Sequence, residues 1–230
     1  MPAEVVIRGI AIVDVAAGRL APSQDIVVRG TRIQRIAPAG GALPPAKTTV
    51  DGRGKVAIPG LIAARVRLAA FSPGAMQALL AQGVTAVQDI GTDQARLTRW
   101  REDLNSGRLY APRITTPCAA SVAAPANATP AAAPDALDAV HGEMALLVSS
   151  GGLRPVEALR AVTLDRARAL CLDGLGRVAV GAPADLVVLE ASPLQDITRT
   201  RAIDAVIFRG EVLTRAHVNM LARGTLPLPT

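Results

Sequence analysis

Two arginines in the stretch "IPGLIAARVRLAAF", residues 58–71, are the side chains of this sequence whose spacing could support chemistry. Arg65 and Arg67 are two residues apart, and residues i and i+2 of a strand point to the same side. Two guanidiniums on one strand face would suit a carboxylate or phosphate. The sequence therefore offers an anion-binding hypothesis centred on Arg65 and Arg67. The competing interpretation is that both arginines are simply hydrated.

The same spacing cannot serve a metal ion. A guanidinium stays protonated at any working pH, has five N–H donors and offers no lone pair, so Arg65 and Arg67 would repel a dication. The chain has only two histidines, His141 and His217. His141 lies in an amphipathic helical segment and His217 near the C-terminal end, and we interpret both as structural or surface residues. We therefore expect no metal site and no bound cofactor.

No other catalytic set is visible in the sequence. It contains no G-x-S-x-G, Walker or G-x-G-x-x-G motif. Four acidic residues precede or begin predicted helices or end a strand, and we interpret them as caps or solvated acids: Asp89, Asp93, Asp135 and Asp138. Cys118 and Cys171 lie far apart in no metal-binding motif, so we expect them to be reduced.

Composition limits the class of protein. Half of the 230 residues are hydrophobic and only 2% are aromatic, which predicts a globular chain with few side chains for stacking on bases. The net charge of +6 comes from scattered arginines rather than a cluster, so we expect no nucleic-acid partner. We find no membrane-length apolar run and no signal-peptide pattern, and we expect a cytoplasmic protein.

The elements that must position these residues change type along the chain. The first fifty residues read as short strands, and residues 61–114 as a βα pattern. "SPGAMQALLAQG" predicts a helix capped by Ser72, and "TDQARLTRWREDLNSG" predicts one capped by Thr92. Residues 115–135 are rich in Ala and Pro and read as a linker. Two helices, then strands that include "GRVAVG", "DLVVLE" and "AVIFRGEVL", follow it.

Several phrases of the sequence resemble the amidohydrolase superfamily, especially its imidazolonepropionase-like and prolidase-like members. The phrases that carry the resemblance are "VDGRGKVAIPGLIAARVRL", "GVTAVQDIGT", "SGRLYAPRI", "HGEMALLVSSGGLRPVEALRAVTLDRARALCL", "GAPADLVVLEASPLQDI" and "AVIFRGEVL". The family combines a composite β-sandwich, built from both chain ends, with a (β/α)₈ barrel that holds zinc.

The resemblance implies an α/β fold in which that barrel is truncated, because a full barrel needs roughly 250 residues. We expect residues 1–59 and 174–215 to form the composite β-sandwich, residues 60–114 and 136–173 a barrel remnant, and residues 216–230 a tail. The open barrel face should then be covered by the later helices, by the linker or by self-association, so we expect a homo-oligomer or a partner protein.

The resemblance also bears on activity. The family reads P-G-L-I-D-A-H-V-H where this chain reads Pro59 to Arg67, so its histidine pair is replaced by Arg65 and Arg67, and its preceding aspartate by Ala63. Three interpretations stay open. The chain is an amidohydrolase-like protein without catalysis of its own, a hydrolase of carbon–nitrogen bonds completed by oligomerisation or a partner, or an anion-binding module.

Overall fold

The computed structural model describes residues 3–118 and 133–226. Its strands form an eight-stranded sheet and a three-stranded sheet. The strands are β1 (Ala3–Asp14), β2 (Arg19–Arg29), β3 (Arg32–Pro38), β4 (Ala46–Asp51), β5 (Val56–Pro59), β6 (Leu61–Val66), β7 (Val84–Asp89), β8 (Arg113–Thr115), β9 (Leu186–Leu189), β10 (Ile203–Phe208) and β11 (Glu211–Leu213).

Six α-helices of the described residues alternate with these strands or follow them. They are α1 (Pro73–Ala81), α2 (Gln94–Asn105), α3 (Ala133–Ser149), α4 (Pro155–Arg160), α5 (Arg166–Ala169) and α6 (Arg215–Ala222). A π-helical turn, Ala161–Asp165, joins α4 to α5, and short 3₁₀ helices span Leu68–Ala70 and Ile197–Arg201. The predicted linker falls mostly on residues 119–132, which lie outside the described part of the chain.

The large sheet joins the two ends of the chain. Its order is β11-β10-β9-β5-β1-β2-β3, with β4 also paired to β1. The central pair is β5 with β9, which run antiparallel from Val56 opposite Leu189 to Pro59 opposite Leu186. Strands from both chain ends therefore share one sheet, as the sequence analysis expected.

The large sheet curls so that its β3 edge meets the segment before β9. The Ile33 N–H donates to the Ala182 carbonyl at 2.9 Å, and the Ala184 N–H donates to the Thr31 carbonyl at 2.8 Å. One side of the sheet encloses a cluster of aliphatic residues from β1, β2, β3, β5, β9 and β10. The segment "GRVAVG" is not a strand, contrary to prediction, because it forms the approach to this closure.

The small sheet is parallel, with the order β6-β7-β8. Helix α1 begins after Ser72, whose hydroxyl accepts from the Ala75 N–H, as predicted. Helix α2 is capped by Asp93 rather than Thr92, because the Asp93 carboxylate accepts from the Arg96 N–H at 2.9 Å. This sheet and α1 share the largest apolar cluster with strands of the large sheet.

An arginine covers part of the free edge of the small sheet. The Leu61 N–H donates to Gly83, toward β7, so the backbone groups of Ile62 point to the opposite edge. There the Arg166 guanidinium donates to the Ile62 carbonyl at 2.9 Å and pairs with Glu143. Residues of later helices therefore contact part of this edge, and what covers the open barrel face stays a prediction.

The predicted tail contains α6. Its residues Val218 and Leu221 are buried, and Thr214 precedes the helix as its cap. The Gln77 amide of α1 donates to the Leu226 carbonyl at 3.3 Å. The chain from the end of β11 to Leu226 therefore packs back onto α1.

Candidate functional site

The carboxyl ends of β6, β7 and β8 are the natural place to look for a site. Ligands of open parallel sheets bind outside the carboxyl ends of the strands. At these ends lie Arg67 after β6, Asp89 at the end of β7 and Thr115 at the end of β8. We refer to this set as the carboxyl edge.

A β-bulge in β6 includes Arg65, the first of the two arginines of the anion-binding hypothesis. Ala63 lies opposite Val87, yet Val66 lies opposite Asp89, so three steps along β6 match two along β7. Arg65, inside this bulge, has a left-handed φ of 56°. Such a conformation is uncommon for a residue other than glycine and typical of bulges that redirect a strand.

The bulge changes which face each side chain takes. Leu61 and Ala63 lie in the same apolar cluster as Val66 and Leu68. Odd-numbered residues therefore face this cluster before the bulge, and even-numbered residues face it after the bulge. Arg65 is half-buried and already engaged within the chain, whereas Arg67 is exposed. The rule that residues two apart in a regular strand point to the same side therefore does not apply directly to Arg65 and Arg67. Anion binding by these two arginines stays a prediction.

Asp89 is buried and holds two loops together. One carboxylate oxygen accepts from the Leu68 N–H at 2.9 Å and the Thr92 hydroxyl at 2.8 Å. The other accepts from the N–H groups of Gly91 at 3.2 Å and Thr92 at 2.9 Å. Burial alone would raise the pKa of Asp89, but these hydrogen bonds outweigh it and leave the pKa below its ordinary value. An ionised carboxylate with four donors is suited to positioning loops rather than to proton transfer.

The other acidic residues of the sequence analysis have structural contacts. Asp93 caps α2. Asp138 forms an ion pair with Arg201, with a shortest separation of 2.7 Å. The side chain of Asp135 lies outside the described part of the chain.

His141 is buried away from the carboxyl edge. Its Nε2 lies 2.9 Å from the Gln82 carbonyl oxygen, and its Nδ1 lies 2.9 Å from the Thr200 hydroxyl. Gln82 follows α1 and precedes β7, so the full length of β7 separates His141 from Asp89. Burial is the main cause that lowers the pKa of His141. These contacts support the structural role that the sequence analysis gave this histidine.

His217 has a capping role at the start of α6. Its Nδ1 accepts from the Thr214 N–H at 3.3 Å. It is half-buried and belongs to a different part of the chain from His141.

The residues of the carboxyl edge do not fit the zinc that the family resemblance implies. Zinc sites use three or more ligands from His, Cys, Asp or Glu. Within residues 3–118 and 133–226, no three such side chains lie where they could share a metal ion. Arginine cannot replace the missing histidines because its guanidinium has no lone pair to donate.

The prediction of two reduced cysteines is wrong. Cys118 and Cys171 form a disulfide, with Cα atoms 6.4 Å apart although 53 positions separate them in sequence. The fold brings the end of β8 next to the end of α5, a proximity that spacing along the chain cannot reveal. Disulfides are typical of oxidising compartments, and the cytoplasmic location stays a prediction.

An ion pair between the two sheets was also missed. Arg113 of β8 contacts Asp185, just before β9, with Nε 2.6 Å from Oδ2. Asp185 immediately before an apolar strand was the available signal, because a buried acid needs a partner.

The model of the amidohydrolase family matches residues 55–213. The chain therefore belongs to the amidohydrolase family. No curated protein matches it. Along the described chain, 3–118 and 133–226, no helix is both long and apolar enough to cross a membrane.

Solved structures share the fold at low identity. A protein from Bifidobacterium longum assigned as a prolidase is 19% identical, with a TM-score of 0.74, covering 96% of this chain and 98% of that one. An A. niger ochratoxinase is 11% identical, with a TM-score of 0.71 and coverage of 93% and 96%. Phenylurea hydrolase B is 14% identical, with a TM-score of 0.71 and coverage of 92% and 97%. At these identities the comparison shows the fold alone.

Proposed function

We propose that this chain is an amidohydrolase-family protein that has lost metal-dependent hydrolysis and persists as a structural or binding unit. The observation that carries the proposal is the pair Arg65 and Arg67 at the positions where the family resemblance implies a His-x-His pair. Hydrolysis at a metal centre needs converging ligands and an open position for a water whose pKa falls to about 7. A strand that presents guanidiniums there supplies neither.

The environment of Asp89 supports the same proposal. A general base must be within reach of a substrate proton and must have a pKa near the working pH. Asp89 is saturated with donors from its own loops, and its pKa is lowered. The carboxyl edge therefore has no described acid or base suited to proton transfer.

The proposal extends to the fold. We infer that the sheet β6-β7-β8 is the remnant of a (β/α)₈ barrel, since only three parallel strands are described where the family resemblance implies eight. Arg166 on the Ile62 carbonyl supports this inference, because a side-chain donor occupies the place that a neighbouring strand would take. The proposed domain division, 1–59 with 174–215 and 60–114 with 136–173, follows from the same inference.

Membership of the amidohydrolase family favours one alternative. In that alternative a second copy or a partner protein supplies the missing ligands, and the assembly hydrolyses a carbon–nitrogen bond such as that of a dipeptide. This alternative requires about one bound metal ion per chain, whereas the proposed loss of hydrolysis requires no bound metal.

The deciding experiment is metal analysis of the full chain. Protein expressed with added zinc, passed over a chelating resin and gel-filtered, would be measured by plasma mass spectrometry and assayed with Xaa-Pro dipeptides. We expect folded protein with far less than one metal ion per chain and no turnover. Chelator-resistant zinc at one ion per chain, with turnover, would refute the proposal.

A variant controls for adventitious metal and a second titration tests the arginines. Arg67→Ala removes one guanidinium without adding a metal ligand. If the variant and the unmodified chain contain the same trace of metal, that metal is not bound at Arg67. A phosphate titration of the same pair of proteins tests the anion-binding hypothesis, which requires saturable binding that weakens in Arg67→Ala.

A further inference from the structure

A cleft of about 230 Å³ lies where the turn between β10 and β11 meets the end of α2. Its apolar wall consists of Leu104, Leu109 and Phe208, and its polar wall includes Tyr110 and Glu211. A second cleft, of about 340 Å³, adjoins it and shares Tyr110 and Glu211. Tyr110 precedes β8, so both clefts lie toward the amino end of that strand, away from the carboxyl edge.

The β10–β11 turn is held rigidly beside the first cleft. Phe208 and Glu211 are paired across it, so their side chains lie on the same face. Gly210 in the turn has a φ of 84°, and a Cβ there would lie 2.0 Å from the Gly30 carbonyl oxygen, so only glycine fits. Arg209 donates from its N–H to Asp185 at 2.9 Å and from its guanidinium to the Leu104 carbonyl at 2.9 Å.

Over residues 3–118 and 133–226, the Glu211 carboxylate and the Tyr110 hydroxyl have no hydrogen bond or ion pair to another residue. The same holds for the Asn105 amide and the Thr31 hydroxyl, but Glu211 is the carboxylate of the cleft. Burial, and then the negative charge of Glu211, raise the pKa of Tyr110. The Arg209 guanidinium also lines the cleft, but it donates a hydrogen bond to the Leu104 carbonyl in the C-terminal turn of α2.

We propose that this cleft binds a small organic cation, an amine with an apolar group, through Glu211 and the wall formed by Leu104, Leu109 and Phe208. An aromatic ring fits the space, because a cavity of about 150 Å³ is enough to hold benzene. The ammonium would donate to Glu211, and the Tyr110 hydroxyl would complete its polar surroundings. The inference is independent of whether the carboxyl edge retains metal chemistry.

Calorimetry with benzylamine at pH 7.5 tests the proposal on the full chain. Benzyl alcohol is a neutral compound of nearly the same shape, and benzoate carries the opposite charge. We expect saturable binding of benzylamine, with benzyl alcohol about tenfold weaker and benzoate weaker still, as for the loss of one charged hydrogen bond. Equal affinity for benzylamine and benzyl alcohol, or no saturable benzylamine binding, would overturn the proposal without any variant being needed.

A matched pair of variants locates the binding site. Glu211→Gln keeps the shape and removes the charge, and we expect benzylamine to bind it about tenfold more weakly. Glu102→Gln alters another exposed acid that does not line the cleft, and its affinity should equal that of the unmodified chain. Equal affinities in all three proteins would refute the assignment to Glu211.

Discussion

Arg113 and Asp185 connect the two sheets of the molecule. Nε of Arg113 lies 2.6 Å from Oδ2 of Asp185, and Nη2 lies 3.2 Å from Oδ1. The Asp185 side chain is 1% exposed, the Arg113 side chain 30%. Oδ1 also accepts from the Arg209 N–H, so one buried carboxylate joins β8, the approach to β9 and the turn after β10.

Replacing Arg113 should therefore destabilise the fold. Arg113→Met keeps the apolar stem but leaves the Asp185 carboxylate without its cation, and breaking a buried pair costs several kcal/mol. Because Arg113 is partly solvated, we expect a loss of about 2 kcal/mol in the free energy of unfolding, measured in urea. Arg53→Met breaks the exposed pair with Asp51 and is the control, for which no measurable change is expected.

Removing Arg166 should expose an edge of the small sheet. Arg166→Met leaves the Ile62 carbonyl without its side-chain donor and Glu143 without its partner. We expect a loss of about 2 kcal/mol and a tendency to self-associate, seen by urea unfolding and light scattering. Arg168→Met alters an exposed residue of the same helix that lies 3.7 Å from Asp165, and it should behave like the unmodified chain. Identical stabilities of both variants would contradict the edge-covering role.

The protonation of His141 follows from its contacts. A carbonyl oxygen only accepts, so Nε2 carries the hydrogen that is donated to Gln82. In the neutral ring Nδ1 then accepts from the Thr200 hydroxyl, which also lies 2.8 Å from the Ile197 carbonyl. Protonating Nδ1 would place a charge in a buried site and turn the Thr200 hydroxyl toward Ile197.

Acid should destabilise the protein through this histidine. Burial keeps the pKa of His141 in the folded state below the unfolded value of about 6.5. The hydrogen bond to the Gln82 carbonyl and the charge of Asp138 oppose this effect, whereas the charge of Arg201 adds to it. Protonation then favours the unfolded chain, so stability is complete above about pH 6.5 and falls as the pH decreases below it. Urea midpoints between pH 5 and 8 would measure the slope, which we expect to flatten in His141→Asn and to persist in His217→Asn. An unchanged slope in His141→Asn would exclude this residue as the cause.

Reduction of the disulfide should also lower stability. Closing a loop between Cys118 and Cys171, 53 positions apart, contributes about 4 kcal/mol in the chain-entropy description. We expect no reactive thiols before reduction and two after it, together with a lower urea midpoint in reductant. The Cys118→Ser, Cys171→Ser double variant should be insensitive to reductant. Two reactive thiols in protein purified without reductant would show that the bond is not formed.

Local signals in the sequence predicted local structure well. Ser72 before Pro73 predicted the start of α1, because a hydroxyl cap and a proline at the first turn depend only on neighbouring residues. At α2 the cap is Asp93 instead of Thr92, since two adjacent residues were chemically capable and the Thr92 hydroxyl is used by Asp89. The βα pattern from residue 61 predicted a strand here, but not the bulge at Arg65, which depends on pairing with β7.

The sequence alone determined the family, the shared sheet of the two chain ends and the replacement of the histidine pair by Arg65 and Arg67, because these depend on residue identity and order. Tertiary structure decided which distant groups meet: Cys118 with Cys171, Arg113 with Asp185, and Arg166 with the Ile62 carbonyl. The physical reason is that such pairs form only after the chain has packed. Their energies depend on distance and burial, which spacing along the sequence does not contain.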